Sequence, residues 1–412
     1  MKQILIVLSL TLLLASCNND LCKQTVTYTK ATAIYGSMDD VRNQPTNGVA
    51  TQIENPGKVY VGENYLLIGE ENKGIHVIDN SNPENPTEVN FINISGNKEF
   101  YVEGNALYAE SLTDVVKYNI DNLLDVTVDS RAMNVFEFNN FDQEGNEIIG
   151  FDFEVVTEEL DCDAKINAGS TIFYSWNNEI IPASTVPVSF AGSSVGGIGT
   201  VNRIAYNNDH LYIINRSQMF TLADNNQLEL INKDHAGWRM ETLFPYEDHL
   251  FIGTETGMLI YSIENSPTPE YFARFDHAQA CDPVLPKNGV AYVTLRSGSE
   301  CQGFTNELDV INISDLASPS LSGVYEIDTP YGMSASGNIL YVGQGENGIS
   351  MYDITDPLMP SLIHQDRAVE AYDIISHPTD NNRILIAGTN GIDQYQIGDD
   401  VKDLTLISQI QY

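Results

Sequence analysis

Gly74-Ile75-His76-Val77-Ile78-Asp79-Asn80-Ser81-Asn82-Pro83-Glu84-Asn85-Pro86 opens as an alternating strand and closes as a turn. Asp, Asn and Ser side chains bond back to nearby amides and proline fixes φ, so this composition ends a strand for a mechanical reason. The same grammar returns at Ile349-Ser350-Met351-Tyr352-Asp353-Ile354-Thr355-Asp356-Pro357-Leu358-Met359-Pro360, and again around Asn312–Pro319. Working outward from the first copy, Tyr65-Leu66-Leu67-Ile68-Gly69 precedes it, with Lys58-Val59-Tyr60-Val61 before that; Glu88-Val89-Asn90-Phe91-Ile92-Asn93-Ile94 follows. Four short strands in about 40 residues is the unit of a β-propeller blade.

The strand Tyr65–Gly69 recurs around the anchors Leu66, Leu107, Leu211, Leu250, Ala291, Leu340 and Ile384, spaced by 41, 104, 39, 41, 49 and 44 residues. Each anchor strand is followed by a short polar turn and a second alternating strand. No helical periodicity of useful length interrupts the series. The fold class expected is all-β, a propeller of seven four-stranded blades, with six or eight as alternatives. The long gap has room for an eighth blade, but residues 137–194 lack both anchors and are rich in acidic residues, Asn and Gly. They read as an insertion extending outer strands of blades two and three. The expected organisation is a signal over residues 1–16, an anchor segment over 17–48 packing on the propeller, and the propeller over 49–412.

The chain starts with one lysine, an uncharged apolar run from Ile4 to Leu14, then Leu14-Ala15-Ser16-Cys17. A charged start, a short apolar region and small residues before a break mark an export signal. The run is too short to span a bilayer, which takes about 20 apolar residues. Its ending resembles the lipobox of bacterial lipoproteins, in which the cysteine, here Cys17, receives the lipid and becomes the mature N-terminus. The expected location is outside the cytoplasm, lipid-anchored to the bacterial envelope, the outer membrane in particular.

Charge narrows the partners. The sequence has 20 basic and 57 acidic residues, net −37, and loss of residues 1–16 with Lys2 leaves 19 against 57, or −38. Such an envelope repels nucleic acid and anionic headgroups, which disfavours them, and no nucleic acid is expected as a partner. Setting Cys17 aside, four cysteines remain, an even number for an oxidising compartment. Position within one repeat pairs Cys281 with Cys301; Cys22 and Cys162 are then left to join the N-terminal segment to the insertion.

The alternating strand with its Asp-Pro turn, at Gly74–Asn85 and Ile349–Pro360, resembles the LVIVD repeat. Tyr28-Thr29-Lys30-Ala31-Thr32-Ala33-Ile34-Tyr35 leading into Gly74–Asn80 resembles the LVIVD lipoproteins of the Bacteroidetes. So does Cys281-Asp282-Pro283-Val284 with Tyr292-Val293-Thr294-Leu295-Arg296 and Cys301. The resemblance implies a propeller on an envelope and no defined reaction. Blades three and seven depart from it in having no Asp-Pro turn.

Motifs of chemistry are scarce. There is no His-Glu-x-x-His and no phosphate loop. Trp176 and Trp238 are the only tryptophans, too few for the repeated motifs of quinoprotein propellers. The seven histidines are scattered, and His210 and His249 fall at one turn position of the repeat. No cofactor is expected; the acidic run over 152–163 raises calcium as a weak alternative, without the spacing of a calcium loop.

Geometry points to the channel mouth instead. Aligned on the anchors, the starts of the innermost strands carry Lys58, Glu99, Arg203, Thr242 and Tyr331, and in looser register Arg239, Asp282 and Asp373. Charges of both signs with an aromatic, brought from separate blades, suit a ligand pocket; the same residues also suit a solvated lining of mutual ion pairs. Three functions follow: a binding or scaffold module for an extracytoplasmic protein, peptide or glycan; a hydrolase or lyase using carboxylates at the mouth; or a structural envelope component.

Overall fold

The computed structural model describes residues 23–412, apart from 138–140, 143, 162–165, 176, 182–202, 216, 237–238, 255, 277–282 and 298–304. Its described residues fall into two compact units, with the chain divided between them after residues 37, 138 and 191.

The second unit is a seven-bladed propeller. Six sheets have four strands in sequence order, and the blade over residues 56–93 has a fifth, Asn47–Gly48, on its outer edge. Seven hydrophobic clusters fill the seven spaces between neighbouring blades. The anchors explain why. In each second strand the anchor faces the preceding blade and the next residue faces the following one, as side chains alternating along a strand must. Leu107 lies in the cluster between blades one and two, and Tyr108 in that between two and three. All seven anchors have no exposed surface, and Tyr108, Tyr212, Tyr292 and Tyr341 beside them are equally enclosed.

The ring closes without exchanging a strand. Leu385 and Ile392 of blade seven pack on Leu66, Ile68 and Ile78 of blade one. Buried Asn80 and Gln394 exchange two amide hydrogen bonds of 3.0 and 2.8 Å across the same seam. Each blade also has a register shift between its third and fourth strands. Such bulges increase the local twist of the outer pair.

The turns behave as their composition requires. Asp79 and Asn82 each accept the amide two residues on, from Ser81 and Glu84, and Asp353 and Asp356 do the same for Thr355 and Leu358. Blades two and five repeat this double Asx turn. Gly348, at φ 100°, opens the third strand of blade six where a Cβ would stand 2.0 Å from the Asp366 carbonyl oxygen. Only glycine fits there.

Two expectations need correction. The insertion does not extend blades two and three, which have four strands each. Instead Ile148–Asp161 pairs antiparallel with Lys23–Tyr35, and Thr171–Tyr174 pairs parallel on its other side, giving a separate three-stranded sheet that shares no strand with a blade. The anchor segment is accordingly divided: residues 23–35 belong to that sheet. Residues 38–48 belong to the propeller unit, with the short helix Met38–Arg42 and the edge strand Asn47–Gly48. The helix was not foreseen.

All five cysteines lie outside the described residues, so both disulfide expectations do as well. The described ladder ends with Lys23 against Asp161, whose chain neighbours are Cys22 and Cys162. A small three-stranded sheet, with Val26, Tyr28, Ala31, Phe151 and Phe173 among its buried residues, gains from a covalent staple. Non-reducing peptide mapping of exported protein is expected to recover Cys22 linked to Cys162 and Cys281 linked to Cys301. Free thiols at those positions would refute the pairing.

Candidate binding face

Antiparallel pairing puts the start of each blade's first strand beside the end of its second, so both reach one end of the channel. Blade two shows the geometry most clearly. Glu99 precedes Phe100–Glu103 and its carbonyl accepts the amide of Glu110, at the end of Ala106–Ser111, at 3.1 Å. Buried Asn97 bonds the carbonyl oxygens of both residues through its side-chain amide.

Lys58 and Glu99 form an ion pair of 2.6 Å with side chains only 7% and 8% exposed. The lysine Nζ also lies 5.6 Å from the ring centre of Phe100. Opposite Glu99, burial and the Glu99 charge push the Glu110 carboxyl up to about 7, against the opposing pull of Arg203, Lys98 and Lys58. Burial raises the Glu71 carboxyl too, with Lys98 and Arg203 opposing and Glu70 reinforcing. The arrangement holds the Glu110 carboxyl close to half-protonated at neutral pH.

Arg203 is exposed, its backbone carbonyl bonded to the Ile214 amide at 2.9 Å. Arg239 begins blade four at a positive φ of 55°, and Thr242 is 7% exposed with no hydrogen bond to its hydroxyl among the described residues. Tyr331 is fixed through its backbone: its amide bonds Gly343 at 2.8 Å and its carbonyl accepts Thr294 Oγ1 at 3.3 Å. Its ring lies 4.1 Å beneath the Arg296 guanidinium and meets Tyr372 edge-on at 4.9 Å. Asp373 is buried, 2% exposed, and fits because residue 332 is glycine, where a Cβ would fall 1.7 Å from its Oδ1. Asp282 lies outside the described residues.

The expected ring therefore divides. Lys58 and Glu99 answer each other inside the protein, and Asp373 is enclosed, whereas Arg203 and Tyr331 stand with neighbours that the alignment did not include. Those are Glu71, Lys98, Glu110, Arg296 and Tyr372. A signal existed for Glu110: three residues after its anchor, it occupies a slot that holds Gly69, Ile214, Gly253, Thr294, Gly343 and Ala387 in the other blades. It is the only charge in that column.

The acidic run at 152–163 has a different place. Residues 152, 154, 158, 159 and 161 lie along the extended strand Ile148–Asp161, at about 3.4 Å per residue with faces alternating. Tyr28 Oη donates to Glu158, and Lys23 pairs with Asp161 at 2.6 Å. Among the described residues no group of three His, Cys, Asp or Glu side chains is placed to hold a metal ion.

Two cavities lie between neighbouring blades, the first at the end of the propeller that carries the mouth and the second at the opposite end. One of about 520 Å³ lies between blades five and six, with Glu307, Glu326, Asp328, Gln344 and Gln365 in its wall. The other, about 310 Å³, lies between blades two and three, where Asp224 accepts Lys117 and Tyr108.

The LVIVD repeat matches residues 56–93, 303–327 and 332–365. Among curated proteins none matches the chain. Solved structures match by shape. The periplasmic gluconolactonase PpgL of Pseudomonas aeruginosa is 10% identical with a TM-score of 0.55, over 84% of this chain and 96% of that one. A Lactobacillus plantarum protein is 10% identical with a TM-score of 0.54, over 82% and 92%. The WD40 domain of Neurospora crassa Pan2 is 8% identical with a TM-score of 0.51, over 81% and 86%. Identities this low establish the fold alone. The chain is a seven-bladed repeat β-propeller in which three stretches match the LVIVD repeat.

Proposed function

We propose that this protein is an envelope-anchored binding or scaffold module that holds an extracytoplasmic ligand on the mouth of its propeller. The observation that supports the reading is the assembly at one end of the channel of Arg203, Glu71 and Glu110 from blades one to three and Arg296, Tyr331 and Tyr372 from blades five to seven. Residues distant in sequence and brought together by a rigid ring are what a specific pocket needs. A second reading, a hydrolase or lyase, is supported by Glu110, since a carboxyl raised to about 7 beside a second carboxyl can exchange a proton near neutral pH.

Incubating the mature protein with envelope glycans and peptides, then analysing bound and free material, separates the readings. Ligand returned unchanged supports the binding module. New reducing ends or unsaturated products support the enzyme, and no bound or altered species leaves a structural component.

Anchoring has its own test. Cys17→Ala is expected to abolish acylation and move the protein from the membrane pellet to the soluble fraction. Unaltered pelleting, with no acyl mass on the mature N-terminus, refutes the lipoprotein reading.

A further inference from the structure

We propose that the mouth takes a carboxylate-bearing oligosaccharide, gripped by the guanidinium groups of Arg203 and Arg296. The proposal rests on the binding reading above and names the chemistry of its ligand.

Its basis is a scarcity. The chain has 57 acidic and 20 basic residues, so a cation without a carboxylate partner is unusual. Most described arginines have one: Arg42 and Arg131 share Asp114, Arg274 takes Asp276, Arg367 takes Asp328 and Arg383 takes Asp380. Arg203 and Arg296 make no ion pair within 4.0 Å among the described residues, the Arg203 charge reaching Glu71 and Glu110 only from farther off, and both lie on the same end of the channel. Arg203 precedes the first strand of blade three; Arg296 follows the second strand of blade five. A planar guanidinium matches a carboxylate in a two-pronged hydrogen bond, which a lysine does not reproduce. Arg296 is already oriented by the Tyr331 ring, so less freedom is lost when a ligand binds.

The surroundings favour a sugar over an acidic peptide. Peptides dock by open strand edges or apolar grooves. Exposed apolar side chains such as Leu230, Tyr271, Leu321 and Leu406 belong to the outer fourth strands instead. The mouth supplies hydroxyl-matching groups: Glu71, Glu110, and Glu370 bonded to Thr389 Oγ1 at 2.7 Å.

A proton follows the ligand. Glu110 faces Glu99, Lys58, Lys98 and Arg203, and its carboxyl titrates at about 7. A carboxylate arriving at Arg203 adds negative charge beside it and favours its protonated form. Binding then takes up a proton and tightens as pH falls from about 8 to about 6. Glu110→Gln holds the neutral form and flattens that dependence.

Calorimetric titration of the mature protein with oligouronates (galacturonate, guluronate and mannuronate), their methyl esters and a polyglutamate peptide tests the proposal. Expected are binding of at least one oligouronate, its loss on esterification, and about tenfold weakening or more in Arg203→Ala and in Arg296→Ala at unchanged melting temperature. Equal binding of ester and acid, or equal affinity in the arginine variants, overturns the proposal and leaves the binding reading intact. Polyglutamate binding without oligouronate binding overturns the sugar in favour of a peptide. If no envelope glycan or peptide binds either, both readings fall.

Discussion

Replacing Asp114 by alanine is expected to lower the unfolding free energy of the propeller unit by about 3–5 kcal/mol. Its carboxylate has no exposed surface and accepts five hydrogen bonds. Arg42 supplies two at 2.8 and 3.0 Å, Arg131 one at 3.1 Å, the Asn134 amide one at 2.9 Å and Thr113 Oγ1 one at 2.8 Å. Burial alone would raise this carboxyl. The hydrogen bonds from Arg42, the Asn134 amide and Thr113, with the Arg42 charge, reverse that and hold it below the ordinary range. Truncation leaves two guanidiniums facing an empty acceptor. Both arginine side chains keep some water, 21% and 16% exposed, so the lower half of the range is the better expectation. Because the folded pKa is depressed, the contribution is present above the unfolded value and lost as pH falls through the folded one. The gap between wild type and Asp114→Ala in urea titrations should therefore close in acid. A difference under about 1 kcal/mol at neutral pH would show the cluster to be no stronger than a surface pair. Arg42 lies on the helix Met38–Arg42, so amide exchange in that helix should quicken more than in blade five.

How far such features are legible in sequence depends on whether a constraint repeats. Leu66, Leu107, Leu211 and the other anchors were legible because every blade buries its second strand on both faces, which imposes the same residues seven times over. The double Asx turn was legible for the same reason. The three-stranded sheet was not: Phe151-Asp152-Phe153-Glu154 alternates as any strand would, and nothing in it names Thr32 or Ala31 as partners over a hundred residues earlier. At the mouth, the starts of the first strands could be aligned, but their burial could not. Lys58 and Glu99 are neighbours across two blades, so each found its counter-ion in the protein and not in the channel. Arg296 and Tyr372 escaped because only one of the two strand ends that reach the mouth was aligned. Asp114 and Arg42, 72 residues apart, escaped because an ion pair leaves no periodic trace.

His76→Ala is expected to destabilise the protein by about 3 kcal/mol and to flatten its stability profile against pH. The imidazole has no exposed surface, and each ring nitrogen meets a carboxylate: Nδ1 Glu88 at 2.8 Å, Nε2 Glu70 at 3.2 Å. Two acceptors require two N–H donors, so the ring is held as the imidazolium. Glu70 in turn accepts the Glu54 and Asn55 amides at 3.0 and 2.8 Å, pinning the segment that leads into Lys58. Burial lowers the His76 pKa, but the hydrogen bonds to Glu70 and Glu88 and their charges outweigh it, and the net shift is upward from 6.5. For Glu70 burial pushes upward, while His76 and the two amides pull the carboxyl below 4.5. The raised histidine contributes fully below its unfolded pKa and loses that contribution as pH rises through the folded one. The depressed glutamate contributes fully above its unfolded pKa and loses that contribution as pH falls through the folded one. Both act together between about 4.5 and about 6.5, so wild-type stability should crest there and decline on either side. Urea titrations from about pH 4 to about pH 10 read this directly. In His76→Ala the alkaline decline should vanish, since no imidazolium remains to lose. The double change Glu70→Gln with His76→Gln separates the ion pair from packing against the Phe91 ring, 4.8 Å away. If the pair is the source, the double variant should be more stable than His76→Ala, because no charge is left buried without a partner. An alkaline decline that persists unaltered in His76→Ala would assign it to another group and remove His76 from the argument.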